Sequence, residues 1–578
     1  MACGDFEFSS DQYGHIACLS PIRQLHFEQN GISSVRLFDY SLDDEAGALL
    51  DIELQHKLEH CLDREQQASH DLRWAPLAYQ FVLWRLRRYV CLKKCIERFL
   101  DAATPARLFV SSCEDDDIVR AATVVAGARG VSIEFGCGPL DGLGGISYSI
   151  EPDFLPKYVD PFPVFVLYAC WLRMRVGVGK ILQEGVPLVP SAGKLLRSMS
   201  MHRWVGFLRA LKNKFLGRGA AQLTRITSNI PPADSMHLQR DIWRPCFSRD
   251  EIEVVNNVLE HFMRCNPASR IDLIVKRLHA LFKLLRPRAI VLAHDQSDYS
   301  RCLAFSARGA KVPVVYMPHG IVLEDYSAIP GASDFVPDGI LAWSADSAKS
   351  FSAKGWKTGV VGYHRYYQLA RPCKELSKNF GTLKVLVLMS EWIAISAAGR
   401  EDCAAYDLLE IGRTLHELGV PAENVTLKFH YGVPATDDAK NTLISEFSRV
   451  TGYRCNVAPP DVASASLIHD SDLVVSMVTS GIYEAIVLGV PVVVFGMSLN
   501  RIGALADSKI PVAKSGTELA KALLTYNNAE SARVYADISG QLRFSSDLEK
   551  GVLGLLDSLP SGGKGLHLCR TGNESCAD

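Results

Sequence analysis

Long hydrophobic runs are the first thing missing. No stretch of the 578 residues reaches the roughly 18 apolar side chains that carry a helix across a bilayer. The nearest approach, 162–172 (FPVFVLYACWL), falls short of that length. An excess of one charge is missing too: 62 basic side chains stand against 64 acidic ones. Bulk electrostatic affinity for nucleic acid is therefore not expected. The 16 cysteines form no CxxC pairs at zinc spacing, and their closest pair is Cys91 and Cys95 on a predicted helix. Thiols scattered in this way fit a reducing, cytoplasmic compartment. The first fifteen residues have neither a basic nor an apolar region, so no secretory signal is expected. GxxxxGK(S/T), GxGxxG after the first strand, HExxH and GxSxG are also absent. Kinase, Rossmann dehydrogenase, zincin and α/β-hydrolase chemistry lose their support accordingly.

What is present is alternation. Apolar residues are 48% of the chain and charged residues 22%, enough for ordinary globular cores. Spacings of three and four predict helices over 50–61 and 78–100. Strands at 107–111 and 131–135 around a helix at 116–129 predict a βαβ unit. Residues 136–160, rich in Gly, Pro and Asp, predict a long loop. Residues 160–248 predict a helical, basic insertion broken by Pro187, Pro190, Pro231 and Pro232. Between 171 and 218, ten Lys and Arg interleave with Trp171, Trp204, Phe207 and Phe215. That pattern fits an anionic membrane surface and equally a core helix with a solvated basic face.

Alternation resumes with a helix over 252–285 and strands at 288–293, 312–317, 339–343 and 358–361. A polar, broken stretch at 369–382 predicts a linker. A second series follows, with strands at 383–389, 425–429, 473–476 and 491–495 separated by helices. Such alternation predicts an α/β fold with parallel sheets covered on both faces. The expected organisation is an N-terminal α/β domain over 1–368, a linker over 369–382 and a C-terminal domain over 383–556. A disordered tail is expected over 557–578.

Ligands of open parallel sheets bind beyond the carboxyl ends of the strands, so polar residues there are the candidates. Pro318-His319-Gly320 ends one strand, and His319 is either a donor or proton carrier in a cleft or a locally satisfied loop histidine. Lys428 and His430 fall on the same side of the strand at 425–429, a pairing suited to a phosphate. Thr479, Ser480 and Gly481 open a helix after the strand at 473–476, where free amides and the helix dipole favour an anion. Glu484, one turn in, is placed to reach a sugar hydroxyl or to complete a capping box. Asp295, after the strand at 288–293, is a candidate base. The acids at 114–117 are either a metal-binding cluster or the decorated start of a helix. Gly320, Arg365 and Glu391 are further strand-end candidates.

The order Pro318-His319-Gly320, Val361-Gly362-Tyr363-His364-Arg365, Lys428-Phe429-His430 and Thr479-Ser480-Gly481-Ile482-Tyr483-Glu484-Ala485 resembles a known superfamily. Over residues 288–525 the chain is similar to GT-B glycosyltransferases of bacterial surface carbohydrate and capsule synthesis, above all the Kdo and sialic acid transferases. CDP-glycerol glycerophosphotransferases and UDP-GlcNAc 2-epimerases share parts of the pattern. The resemblance implies two facing Rossmann-like domains with parallel sheets and a cleft between them. It implies a metal-independent transferase with no cofactor, taking a nucleotide sugar such as CMP-Kdo or another CMP-nonulosonate as co-substrate. The acceptor would be a surface glycan or lipid-linked sugar, met in the cytoplasm or on the inner membrane. Lys428 and His430 would meet the nucleotide, Thr479, Ser480, Gly481 and Glu484 its phosphate and ribose, and Asp295 and His319 would serve catalysis. The sequence departs from the family's Lys-x-His-Pro element at Tyr431. A sugar-nucleotide epimerase and a non-catalytic scaffold in polysaccharide assembly are the alternatives.

Overall fold

Short aliphatic runs bounded by Gly, Pro, Ser or Asp become the strands of this protein, as parallel sheets buried on both faces require. The computed structural model describes residues 17–18, 33–40, 44–68, 73–111, 116–136, 181–183, 196–197, 238, 240–266, 268–285, 287–292, 298–318, 335–353, 355–363, 370–389, 403–429, 444–445, 447–448, 451–459, 462–477, 479–496, 510–543 and 548–558. Its strands assemble into two six-stranded and two two-stranded sheets.

β1 (Ala17–Cys18) and β2 (Val35–Arg36) pair in parallel. Two long helices follow, Asp44–Ala68 and Tyr79–Ala103. β3 (Arg107–Ser111), the helix Asp116–Arg129 and β4 (Ser132–Gly136) form the predicted βαβ unit, with β3 and β4 parallel. The first large sheet contains β5 (Ile181–Gln183), β6 (Leu196–Arg197), β7 (Ala289–Leu292), β8 (Val314–Tyr316), β9 (Gly339–Ala342) and β10 (Thr358–Val360). Its order is β10-β9-β8-β7-β5-β6, every pair parallel.

Two expectations need correction here. The segment 160–248 was predicted as a helical insertion, yet β5 and β6 lie inside it and β5 pairs with β7. Part of the segment therefore completes the sheet, since a short apolar run that finds an open strand edge satisfies its backbone there. The helix predicted over 252–285 is two helices, Arg249–Cys265 and Ala268–Leu285. The residue before a proline is steered out of helical geometry. Asn266 accordingly leaves the helix at φ −128°, and its side-chain amide donates to Phe262 O at 3.1 Å.

The second large sheet contains β11 (Val385–Leu388), β12 (Val425–Lys428), β13 (Asn456–Val457), β14 (Leu473–Ser476), β15 (Val492–Phe495) and β16 (Val512–Ala513). Its order is β13-β12-β11-β14-β15-β16, all parallel. Counted along the chain this is 3-2-1-4-5-6, the doubly wound order, and the winding direction reverses between β11 and β14. Strand side chains alternate between the faces. Val385, Val387, Leu473, Val475, Val493 and Phe495 meet the helices Cys403–Glu417 and Gly516–Leu524. Leu386, Leu388, Val474, Val492 and Val494 meet Ser464–His469, Gly481–Val487 and Asn528–Gln541 on the other face. Two parallel sheets, the second in the doubly wound order, agree with the α/β class with parallel sheets expected from the sequence.

The boundaries differ from expectation at two more places. The linker predicted over 369–382 is fastened to the second sheet's layer from residue 370 on. Arg371 N donates to Val487 O at 2.9 Å, and Lys374 N donates to Gly489 O at 2.6 Å. Lys374 Nζ reaches the end of the helix Ser464–His469, donating to His469 O (2.9 Å) and Ser471 O (3.0 Å). A cation at a helix C-terminus is favourable, so a polar segment here is bound rather than free. The helix Leu548–Ser558, expected mostly within the C-terminal domain, returns to the first sheet. Its Val552 and Leu555 pack with Ala289, Val291, Val315 and Leu341. Gly551 permits the approach, because a Cβ there would stand 2.9 Å from Val361 Cγ1. The tail expected from 557 lies outside the described residues beyond 558.

Candidate functional site

In a doubly wound sheet, the crevice at the reversal of strand order opens beyond the carboxyl ends of the two strands that flank it. Here those strands are β11 and β14. Register places Lys428, Leu388 and Ser476 on one rung across β12, β11 and β14. The Lys428 and Ser476 backbones thus stand about 10 Å apart, two strand spacings, at the edge where the crevice opens. The helix Gly481–Val487 follows β14, with Thr479 and Ser480 immediately before it, so the Thr-Ser-Gly turn sits directly on that edge.

Hydrogen bonds define what this turn offers. Ser476 Oγ donates to Met477 O at 2.7 Å, which uses its single hydrogen. The Ser476–Thr479 hydroxyl contact at 3.3 Å therefore needs Thr479 as donor. Thr479 Oγ1 also accepts from Gly481 N at 3.1 Å. The next amides are engaged as well: Ile482 N with Thr479 O, and Tyr483 N and Glu484 N with Ser480 O, at 3.1–3.2 Å. The expectation of free helix-terminal amides is corrected accordingly, because in a seven-residue helix the turn itself absorbs them. Thr479 is a turn-builder. Ser480 is half-buried and its hydroxyl caps nothing. Gly481 is glycine for space, since a Cβ would collide with Leu388 Cδ1 on the neighbouring strand.

Two charged side chains at this edge are nearly out of water. Lys428 is 7% exposed, and its Nζ donates to Pro459 O at 2.7 Å, beyond the end of β13. Glu484 is 4% exposed. Its Oε1 accepts a bond from Tyr363 Oη at 3.2 Å, although Tyr363 follows β10 in the other sheet. Tyr363 lies in an aromatic group with Trp343, which follows β9, and Tyr483, on the helix after β14. Ring centroids are 4.7 Å apart for Trp343–Tyr363, 5.7 Å for Trp343–Tyr483 and 6.0 Å for Tyr363–Tyr483. Tyr363 N donates to Leu542 O at 2.8 Å. The ends of the two sheets are therefore pinned together beside the Thr-Ser-Gly turn.

Of the predicted site residues, Lys428, Thr479, Ser480, Gly481 and Glu484 share this edge. Asp295, His319, Gly320, Arg365, Glu391 and His430 lie outside the described residues. In the acidic run at 114–117, Asp117 is buried and paired with Arg85 and Arg88. Among the described residues no group of three or more His, Cys, Asp or Glu is arranged to hold a metal ion, and no helix is long and apolar enough to cross a membrane. The sequence motifs included Tyr363 and Tyr483 but assigned them no role, and Trp343 was not singled out. The available signal was an aromatic residue within three positions of the end of two successive strands, β9 and β10.

No family model matches the chain, and no curated protein matches it. Among solved structures, it is similar to the Anabaena protein Alr3699/HepE in complex with UDP and glucose: 15% identity, TM-score 0.37, covering 66% of this chain and 100% of that one. It is similar to UDP-GlcNAc 2-epimerase from Neisseria meningitidis bound to UDP-GlcNAc, with 13% identity, TM-score 0.35, and 66% and 100% of the two chains covered. It is also similar to MurG of Acinetobacter baumannii, with 11% identity, TM-score 0.29, and 50% and 79% covered.

Proposed function

We propose that the chain is a glycosyltransferase that takes a nucleotide sugar in the crevice between β11 and β14 and passes the sugar to a glycan or lipid-linked acceptor. The observation that carries this reading is the single rung holding Lys428 and Ser476 at the strand-order reversal, with Ser480 on the turn beside it and Glu484 in the helix that follows. A cation suits the phosphate, the Ser480 hydroxyl supplies a further donor, and the Glu484 carboxylate suits a ribose hydroxyl. His430, two residues past Lys428, is assigned to the nucleotide as well. Gly481 brings the turn close to β11, and Thr479 shapes it.

In the reaction, the acceptor hydroxyl oxygen bonds to the anomeric carbon while that carbon's bond to the donor phosphate breaks. The bonding pair leaves with the phosphate oxygen, and the hydroxyl proton passes to a base. Asp295, after β7, is assigned as that base, with His319 as a donor at the cleft. Gly320, Arg365 and Glu391 are assigned to the cleft wall. The donor class we favour is a CMP-linked nonulosonate such as CMP-Kdo, on the strength of the Lys428–His430 pair. Outside β5 and β6, the basic and aromatic residues of segment 171–218 suit docking at a membrane that carries a lipid-linked acceptor.

The test is a thermal-shift titration of the chain with CMP, CDP, UDP, GDP and ADP, repeated on Ser480→Ala. A ligand that binds the folded state raises the melting temperature by mass action. One nucleotide should do so, and Ser480→Ala should weaken it about fivefold, roughly one hydrogen bond, with an unchanged melting temperature of the free protein. Failure of all five nucleotides to shift the wild-type chain would sink the reading. Release of nucleotide from a sugar nucleotide without any acceptor would favour an epimerase.

A further inference from the structure

We propose that Tyr363 is a positioning residue: its phenol, carried on the first sheet, sets the carboxylate of Glu484 on the second, and so governs recognition of a ribose hydroxyl. The inference rests on the reading of the crevice as a nucleotide site. A carboxylate that is 4% exposed needs a hydrogen-bond donor in place of the water it has lost. Tyr363 Oη is such a donor, from 121 residues away in sequence. The phenol has little freedom to supply anything else. Its ring is fully buried, held between Trp343 and Tyr483 at interplanar angles of 60° and 48°, and its backbone amide is tied to Leu542 O. A phenol has one hydrogen, and here it goes to Oε1.

A carboxylate accepts several hydrogen bonds at once. Being held by the phenol and accepting from a ribose hydroxyl are therefore compatible, and the first makes the second better aimed. Preorganisation of this kind lowers the ordering cost of binding. Because Tyr363 belongs to one sheet and Glu484 to the other, the aim of the carboxylate depends on how the two sheets meet. A bond that merely fastened the sheets would affect stability and leave nucleotide selectivity alone.

The experiment compares, by calorimetry on the full chain, the affinity for UDP and CMP with that for their 2′-deoxy and 3′-deoxy counterparts. The proteins are wild type, Tyr363→Phe and Glu484→Gln. Phenylalanine keeps the ring in the aromatic group, so the fold should survive, which a thermal melt checks. The wild type should prefer the ribonucleotide about tenfold over at least one deoxy form, the size expected of a hydrogen bond to a charged group. Tyr363→Phe and Glu484→Gln should both reduce that ratio below about threefold. A Tyr363→Phe protein that keeps the wild-type ratio overturns the inference and leaves the nucleotide site standing. A wild type that binds nucleotide without preferring ribose overturns the role of Glu484 and the inference with it. If neither binds, the comparison is made with whichever of CDP, GDP and ADP does; no binding of any of the five removes the site reading itself, and the inference falls with that.

Discussion

The two halves of the chain bury charge in different ways. Around the first sheet, charged side chains are buried between helices and pair with one another. Arg301, fully buried, forms an ion pair with Glu59, donates to Pro76 O at 2.9 Å and lies 3.9 Å from the Tyr79 ring centre. Trp243 Nε1 donates to Glu65 at 2.9 Å, and Arg88 meets Asp117 at 3.1 Å. Around the second sheet the strands are almost wholly aliphatic. Among the described residues there, the buried charged side chains are Asp407, Lys428 and Glu484, and the last two stand at the strand ends beside the reversal in strand order. Buried charge thus has two meanings in one molecule. Within a helical layer it joins segments of structure, and at the open end of the second sheet Lys428 holds Pro459 O while Glu484 meets Tyr363 from the first sheet; a ligand role there is the one proposed for the crevice.

The sharpest way to break this comparison is at Glu59. Glu59→Ala leaves Arg301 buried without its carboxylate and should cost about 3–5 kcal/mol, read from the urea midpoint. Replacing both partners, as Glu59→Leu with Arg301→Met, should recover most of that loss. A silent Glu59→Ala would mean that the pair joins nothing.

A backbone test in the second half comes next. Gly489 has φ +69°, and a Cβ there would collide with Pro372 O and lie 2.8 Å from Arg371 O. Gly489→Ala should cost about 2–3 kcal/mol and loosen the strap at 370–374. Gly419, at φ +74° with open space around it, should cost only about 1 kcal/mol as alanine. Equal costs at the two glycines would show that the strap yields.

Lys428→Met separates site from scaffold. Losing the bond to Pro459 O should cost about 1 kcal/mol of stability, whereas nucleotide affinity should fall tenfold or more. A loss of stability alone would return Lys428 to the structural class.

The smallest effect concerns pH. Burial tends to raise the Asp250 carboxyl, but hydrogen bonds from Lys93, Tyr89 and Ser248 outweigh it and hold the group below its ordinary 3.8. A depressed carboxyl contributes stability that is present above pH 3.8 and is lost as pH falls through the lower folded value. Asp250→Asn should therefore flatten the acid side of the stability curve below about pH 4, measured by denaturant midpoints.

The strands of both sheets were largely legible, because an aliphatic run such as Leu473–Ser476 or Val492–Phe495 carries its own signal. β5, β6, β13 and β16, of two or three residues each, were not, since so short a strand exists only where a neighbour offers its edge. The Thr-Ser-Gly turn stood out by its residue types. Its hydrogen bonds did not, and they show Thr479 building the turn rather than waiting for an anion. Tyr363 was in view within Val361-Gly362-Tyr363-His364-Arg365, but nothing local connects a phenol to a carboxylate 121 positions away.

What the sequence determined by itself is whatever depends on neighbours along the chain: helix and strand periods, the Thr479-Ser480-Gly481 turn, and the α/β class. Tertiary structure alone decided the strand order, the rung that aligns Lys428 with Ser476, the return of the helix Leu548–Ser558 to the first sheet, and the meeting of Tyr363 with Glu484. The reason is physical. Periodicity records which face of each element avoids water, whereas the choice of partner is made between elements, by packing and backbone pairing over separations the local pattern does not encode.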